Sequence, residues 1–303
     1  MKILSVTHRT QYRYARPVAL GEHRAMFRPR DSHDMQLLDT KLTVSPPATI
    51  RWMHDVYSNS IAIVSFDQPS NALLFESSFR IAHFGLETPD YTIRPWAQSF
   101  PFHSRPSNLP GLMPLMRQHY EDTDGSLEQW AQGFVNASGR QETWTLVNDI
   151  NSAIKRDFSY VRREEFGVQS PQETLRLGTG SCRDFAVLMM EALRTLGLAA
   201  RFVTGYLYDP ALDNGPNQNA GSNTLGAGAT HAWVQVYLPG AGWVEFDPTN
   251  GIVAGTNLIR IGVARAPSGA VPLSGTYDGT GADFLGMDVA VDVTAEAADL
   301  SSY

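Results

Sequence analysis

The sequence predicts an α+β protein, an N-terminal all-β domain followed by a core in which a central buried helix lies against an antiparallel sheet. Three observations carry that expectation. The first part of the chain is a series of short runs rich in Val, Ile, Thr and aromatics, bounded by Pro, Asn, Asp and Ser. A nearly all-apolar helical stretch begins at Cys182 and is stopped by Gly197. Three strand-like runs then follow, two of them joined by the turn Pro239-Gly240-Ala241-Gly242 as a hairpin.

In chain order, residues 1–105 read as a sandwich-like β domain, with strands over 3–14, 36–44, 49–56, 61–66 and 72–84. Its histidines, His8, His23, His33, His54 and His83, are scattered without the spacing of metal ligands and read as structural. Residues 85–114 carry Pro89, Pro95, Pro101, Pro106, Pro110 and Pro114, which predicts an extended connector without regular helix. The core, residues 106–265, opens with helical signals. Ser126 starts a segment carrying Trp130, Phe134 and Val135, ending near Gly139. Residues 142–158 place Trp144, Val147, Ile150, Ile154 and Phe158 three and four apart, the spacing of an amphipathic helix. Ser170-Pro171-Gln172-Glu173 combines an N-cap, a first-turn proline and a capping-box acid.

The central helix follows over 182–196, then strands over 200–208, 230–238 and 243–246. Between the first two strands lies 210–229, built from Asn, Gly, Ala and Ser and expected to be a functional lid or a disordered loop. Residues 266–303 form a C-terminal extension with one or two strands, Val289, Val291 and Val293 facing one way.

Composition removes several classes. At 303 residues the chain suggests about two domains, and 43% hydrophobic residues supply real cores, excluding disorder and coiled coil. A net charge of −7 without a Lys/Arg cluster argues against nucleic acid and anionic membranes as partners. The alternating N-terminus lacks the apolar centre of an export signal, and with one cysteine the expected compartment is the reducing cytoplasm. A lone cysteine also excludes intrachain disulfides, C-x-x-C redox pairs and Cys-rich zinc sites. Without H-E-x-x-H, G-K-[ST] or a D-x-D-x-D-G loop, zinc-protease, phosphate-loop and calcium-regulated chemistry have no motif here, and no cofactor is expected.

The chemistry-bearing residues are Cys182, His231 and Asp247. A cysteine at a helix start faces backbone N–H groups without intrahelical partners and the positive end of the helix dipole, and both favour thiolate. Its own N–H is then poised to donate to an oxyanion formed when sulfur attacks a carbonyl. His231 opens one hairpin strand and Asp247 ends the other, so a hairpin brings both to one end of the sheet. They share a face only if the connecting loop has an odd effective length or a strand carries a bulge, because a one-residue slip inverts side-chain direction. Together the three fit a nucleophile activated by a base that a carboxylate orients.

The blocks Gly180-Ser181-Cys182-Arg183-Asp184, Gly205-Tyr206, His231-Ala232-Trp233 and Gly242-Trp243 with Asp247-Pro248-Thr249-Asn250 resemble the transglutaminase-like superfamily. More narrowly, the chain resembles the bacterial transglutaminase-like proteins, often described as cysteine proteases, that carry an N-terminal β domain. The resemblance implies a papain-like, transglutaminase-like α+β core and a Cys182-His231-Asp247 triad. It implies a cysteine-dependent amide or peptide hydrolase or acyltransferase working through a thioester, with a peptide, protein or small amide as substrate. A true transglutaminase with an amine acceptor and a non-catalytic peptide-binding module are the alternatives. Such enzymes need a second oxyanion donor, for which Trp144, Tyr160 and Gln169 all stand open. Asp184 reads as a first-turn acid complementing the helix dipole, Trp233 as a shield for the His231–Asp247 contact, and Gly205 as a site of close strand packing.

Overall fold

In the computed structural model, which describes the chain except residues 86–90, 104–106, 164–166, 213–223, 227, 254, 256 and 297–303, strand patterning and helix patterning segregate as an α+β fold. The N-terminal half is built on one long strand, β1 (Lys2–Arg28). Its partners are β2 (Met35–Ser45), β3 (Ala48–His54), β4 (Ser60–Phe66) and β5 (Ser70–His83), in the order β2-β5-β1-β4-β3. Alternation in the sequence predicts a first strand that stops at residue 14. The chain continues through Pro17 because the ladder to β5 shifts register between Arg13 and Val18, where a proline costs no ladder hydrogen bond. The first half of β1 thus pairs with β5 and the second half with β4, so the two halves enclose a core of Tyr14, Phe27, Val64, Leu73 and Phe75.

The proline-rich stretch contains a helix after all: α1 (Leu109–Met116) has Pro110 in its first turn and Pro114 inside. In a two-turn helix Pro114 removes a single backbone bond. Leu112 and Leu115, buried against Ala199, hold the segment in place. Next come α2 (Ser126–Gln132), α3 (Thr143–Asp157), α4 (Pro171–Leu177) and α5 (Cys182–Thr195). Helix α2 ends at Gln132 with Gly133 as its C-cap, earlier than its aromatic pattern suggests.

Helix α5 is buried on nearly every side, which matches its lack of a polar face. It lies against a sheet of β6 (Ala200–Leu207), β7 (Thr230–Leu238), β8 (Gly242–Asp247), β9 (Ile252–Val253) and β10 (Leu258–Ala264), ordered β9-β8-β7-β6-β10. Ala232, Val234, Val236 and Leu238, the alternate residues of β7, pack with Val187, Leu188 and Met190 of the helix. The C-terminal strands β11 (Leu273–Asp278) and β12 (Phe284–Ala295) do not join this sheet; both run antiparallel to β1. A third cluster, with Leu4, Val6, Phe79, Tyr206, Ile259, Ile261 and Val293, fastens the N-terminal sheet onto the core sheet. No helix among the described residues is long and apolar enough to cross a membrane.

Candidate active site

The hairpin meets the condition for His231 and Asp247 to share a face. Leu238 pairs with Gly242, leaving the three residues 239–241 as the loop, and Val234 pairs with Phe246. That register sets Asp247 opposite Trp233, on the face that alternation also gives to His231. His231 Nε2 donates to Asp247 Oδ2 at 2.8 Å, with both side chains fully buried. Among the described residues His231 Nδ1 has no hydrogen-bond partner, which makes it the nitrogen open to Cys182. The Trp233 ring stacks against the imidazole, 6.0 Å away between centroids, and is itself fully buried.

Burial, the largest influence on His231, disfavours its charged form. The Asp247 carboxylate, its hydrogen bond and the Cys182 sulfur outweigh it, and the pKa is raised to about 10. Burial likewise pushes the Asp247 carboxyl up. His231, Asn250 and the Thr249 N–H overcome that and hold it below the usual carboxylate range. Oδ1 accepts from Thr249 N at 2.9 Å, while Oδ2 also accepts from Asn250 Nδ2 at 2.8 Å. A buried imidazolium–carboxylate pair with both carboxylate oxygens hydrogen-bonded is the state this geometry favours.

Cys182 is the first residue of α5 and is 7% exposed. Its position depends on Asp184, which does more than complement the helix dipole. Asp184 is fully buried and accepts from Ser181 N and Oγ, both at 2.8 Å, closing the capping box. It also accepts from Gln169 N at 2.7 Å and from Arg163 Nη1 at 2.8 and 2.9 Å. One carboxylate therefore fixes the residue before Cys182 and the two flanks of a neighbouring segment. Sequence reasoning missed this web because its members lie up to 21 positions apart; Arg183-Asp184 beside the cysteine was the available signal.

The three open oxyanion candidates lie in different surroundings. Trp144 stacks on Tyr91 at 5.2 Å and leans on Phe246, in the aromatic packing of the core. The Gln169 side chain accepts from Thr174 Oγ1 at 3.1 Å. Tyr160 pairs with Gly180 on the strand leading to Cys182. Its phenol is raised to about 12, first by burial and then by the Cys182 sulfur, so it stays a protonated donor beside the thiol. Gly205 lies where a side chain would strike the Ile259 carbonyl and the Trp233 ring, in keeping with close strand packing. Among the described residues no three His, Cys, Asp or Glu side chains converge as a metal site needs. The insertion expected as a lid falls mostly outside the described residues.

Residues 4–82 match the model of the bacterial transglutaminase-like N-terminal region, and residues 128–248 match that of the transglutaminase-like superfamily. An uncharacterized protein of Mycobacterium tuberculosis, Rv2569c, is 31% identical over 301 residues, covering 95% of this chain and 91% of its own. The chain belongs to the transglutaminase-like superfamily. Over a shorter stretch, the superfamily member resembles the uncharacterized protein ML0607 of Mycobacterium leprae, 37% identical over 115 residues, 38% of this chain and 37% of that one. A crystal structure from Cytophaga hutchinsonii, described as a putative cysteine protease, aligns with a TM-score of 0.71 at 18% identity. It covers 99% of this chain and 92% of the other, so the two share their whole fold. The superfamily is one of cysteine hydrolases and transferases, and the papain-like α+β core with its N-terminal β domain is the architecture of this chain.

Proposed function

We propose that this protein is a cysteine-dependent amide or peptide hydrolase that works through a Cys182 thioester, with His231 as base and acid and Asp247 as the orienting carboxylate. The observation that carries the reading is the buried His231. It is charged through Asp247 at 2.8 Å and influenced by the Cys182 sulfur on the same ring. Sulfur attacks the amide carbonyl carbon, forming a C–S bond and an oxyanion. The Cys182 N–H at the helix start and the Tyr160 hydroxyl are the donors we assign to that oxygen. When the intermediate collapses the C–N bond breaks, and the proton on His231 Nδ1 passes to the departing amine. Water, deprotonated by the now neutral imidazole, then attacks the thioester and releases a carboxylic acid and the thiol. Transfer to an amine shares every step until that second nucleophile arrives. Hydrolysis is favoured because water is abundant and no acceptor-amine site is evident in the sequence.

The test is release of ammonia or amine from Gln-bearing and mixed peptide substrates by the purified chain, with and without an added primary amine. Turnover without added amine, abolished in Cys182→Ala, is the expected result. Turnover retained in Cys182→Ala moves the active site elsewhere, and products appearing only with added amine assign a transglutaminase.

A further inference from the structure

Asn250 lies in the turn after β8, and its carboxamide serves two parts of the chain at once. Nδ2 donates to Asp247 Oδ2 at 2.8 Å, the oxygen that also takes the His231 Nε2 hydrogen bond. The same Nδ2 donates to the Leu225 carbonyl at 3.0 Å, and Oδ1 accepts the Leu225 N–H at 2.8 Å. The side chain thus pairs with a backbone unit 25 positions upstream much as a neighbouring strand would. Leu225 precedes Gly226, which has φ +90 and lies on the imidazole. A Cβ at Gly226 would stand 2.6 Å from His231 Nδ1, 3.2 Å from Cε1 and 3.5 Å from Cγ. The nitrogen closest to the glycine is therefore the one that Asp247 leaves open.

We propose that Asn250 is a positioning residue: it fixes Asp247 and clasps the Leu225 backbone, so that side-chain-free Gly226 walls His231 while leaving room at Nδ1 for proton transfer. This deepens the thioester reading and rests on it for the purpose of that room, not for the clasp itself. The titratable groups acting on the ring are Asp247 and Cys182. Removing Asn250 takes one hydrogen bond from the carboxylate and two from the Leu225 clasp, so orientation of the base and access to it change together.

The experiment uses the full chain labelled with [15N]histidine, the His231 ring signals being assigned by their loss in His231→Gln. Titration brackets the raised value of about 10, and the rate of Cys182 capture by iodoacetamide is the second readout. In Asn250→Ala the His231 midpoint should fall by about one pH unit or more and capture should slow about tenfold. Should that variant not fold, Asn250→Asp keeps the acceptor for the Leu225 N–H, loses both donations, and should also slow capture. Gly226→Ala should disturb the Nδ1 signal and slow capture. Gly228→Ala imposes a similar left-handed strain, φ +76, with its nearest atom 4.0 Å away, and should do neither. An unchanged midpoint and capture rate in Asn250→Ala, or equal damage at residues 226 and 228, overturns the proposal. Neither readout needs a substrate, so absence of amide turnover in every variant counts against the thioester reading alone.

Discussion

His8 and His231 are equally buried, each 1% exposed, and yet one is held neutral and the other charged. His8 sits on β1 where the N-terminal sheet meets the core. Its Nδ1 meets the Tyr206 hydroxyl at 2.7 Å and its Nε2 the Thr10 hydroxyl at 2.8 Å. Hydroxyls adapt to either tautomer and bring no charge, so desolvation prevails and the pKa is lowered to about 4. His231 has a carboxylate on one ring nitrogen and no hydroxyl on the other, and its pKa moves the opposite way, to about 10. The chemistry of the hydrogen-bond partner, carboxylate or hydroxyl, rather than depth in the protein, separates a junction histidine from a candidate base.

The largest test of that contrast is turnover. His231→Ala should lower amide hydrolysis about a thousandfold or more, the scale of a lost general base, whereas His8→Gln should leave it nearly intact. Rates that fall equally would make the junction part of the site. Next, Asp247→Asn converts the His231 environment into one like that of His8. The ring should then titrate below its ordinary 6.5 instead of near 10, and turnover should fall about a hundredfold or more. An imidazole that stays charged in that variant means a partner other than Asp247 sustains it.

Stability against pH should separate the two residues by sign. The folded-state value of His231 is raised, so its contribution is fully present below 6.5 and is lost as pH rises through about 10. The folded-state value of His8 is lowered, so its neutral form supports the fold above 6.5. That support drains by about 3 kcal/mol as pH falls from 6.5 to about 4. Denaturant midpoints across both windows should flatten on the alkaline side in His231→Gln and on the acid side in His8→Gln. The smallest effect is expected from Tyr206→Phe, which removes one hydroxyl partner of His8. It should cost about 1 kcal/mol without altering turnover; a larger loss would mean the Tyr206 hydroxyl supports more than His8.

Much of the site was legible because its signals are local. A cysteine at a glycine-led helix start, a histidine opening a strand and an aspartate before Pro248 are each readable within a few residues. Their meeting needed only the odd loop length that 239–241 supplies. What escaped were contacts without periodicity. The Asp184 web and the Asn250 clasp join a side chain to backbone 15 or more positions away, and no pattern in a single sequence encodes such pairs. The same holds for the fold. Hydrophobic alternation showed that 284–295 contains a strand but not which strand it pairs with, and Pro17 disguised the second half of β1.

The pairing of β1 along its whole length shapes how the protein is made. Strand β1 waits for β11 and β12, which are translated long after it, before both its flanks are covered. A ribosome that has finished the first domain has produced an incomplete sheet, and a chain clipped before Leu273 loses strands that flank β1 rather than an appendage.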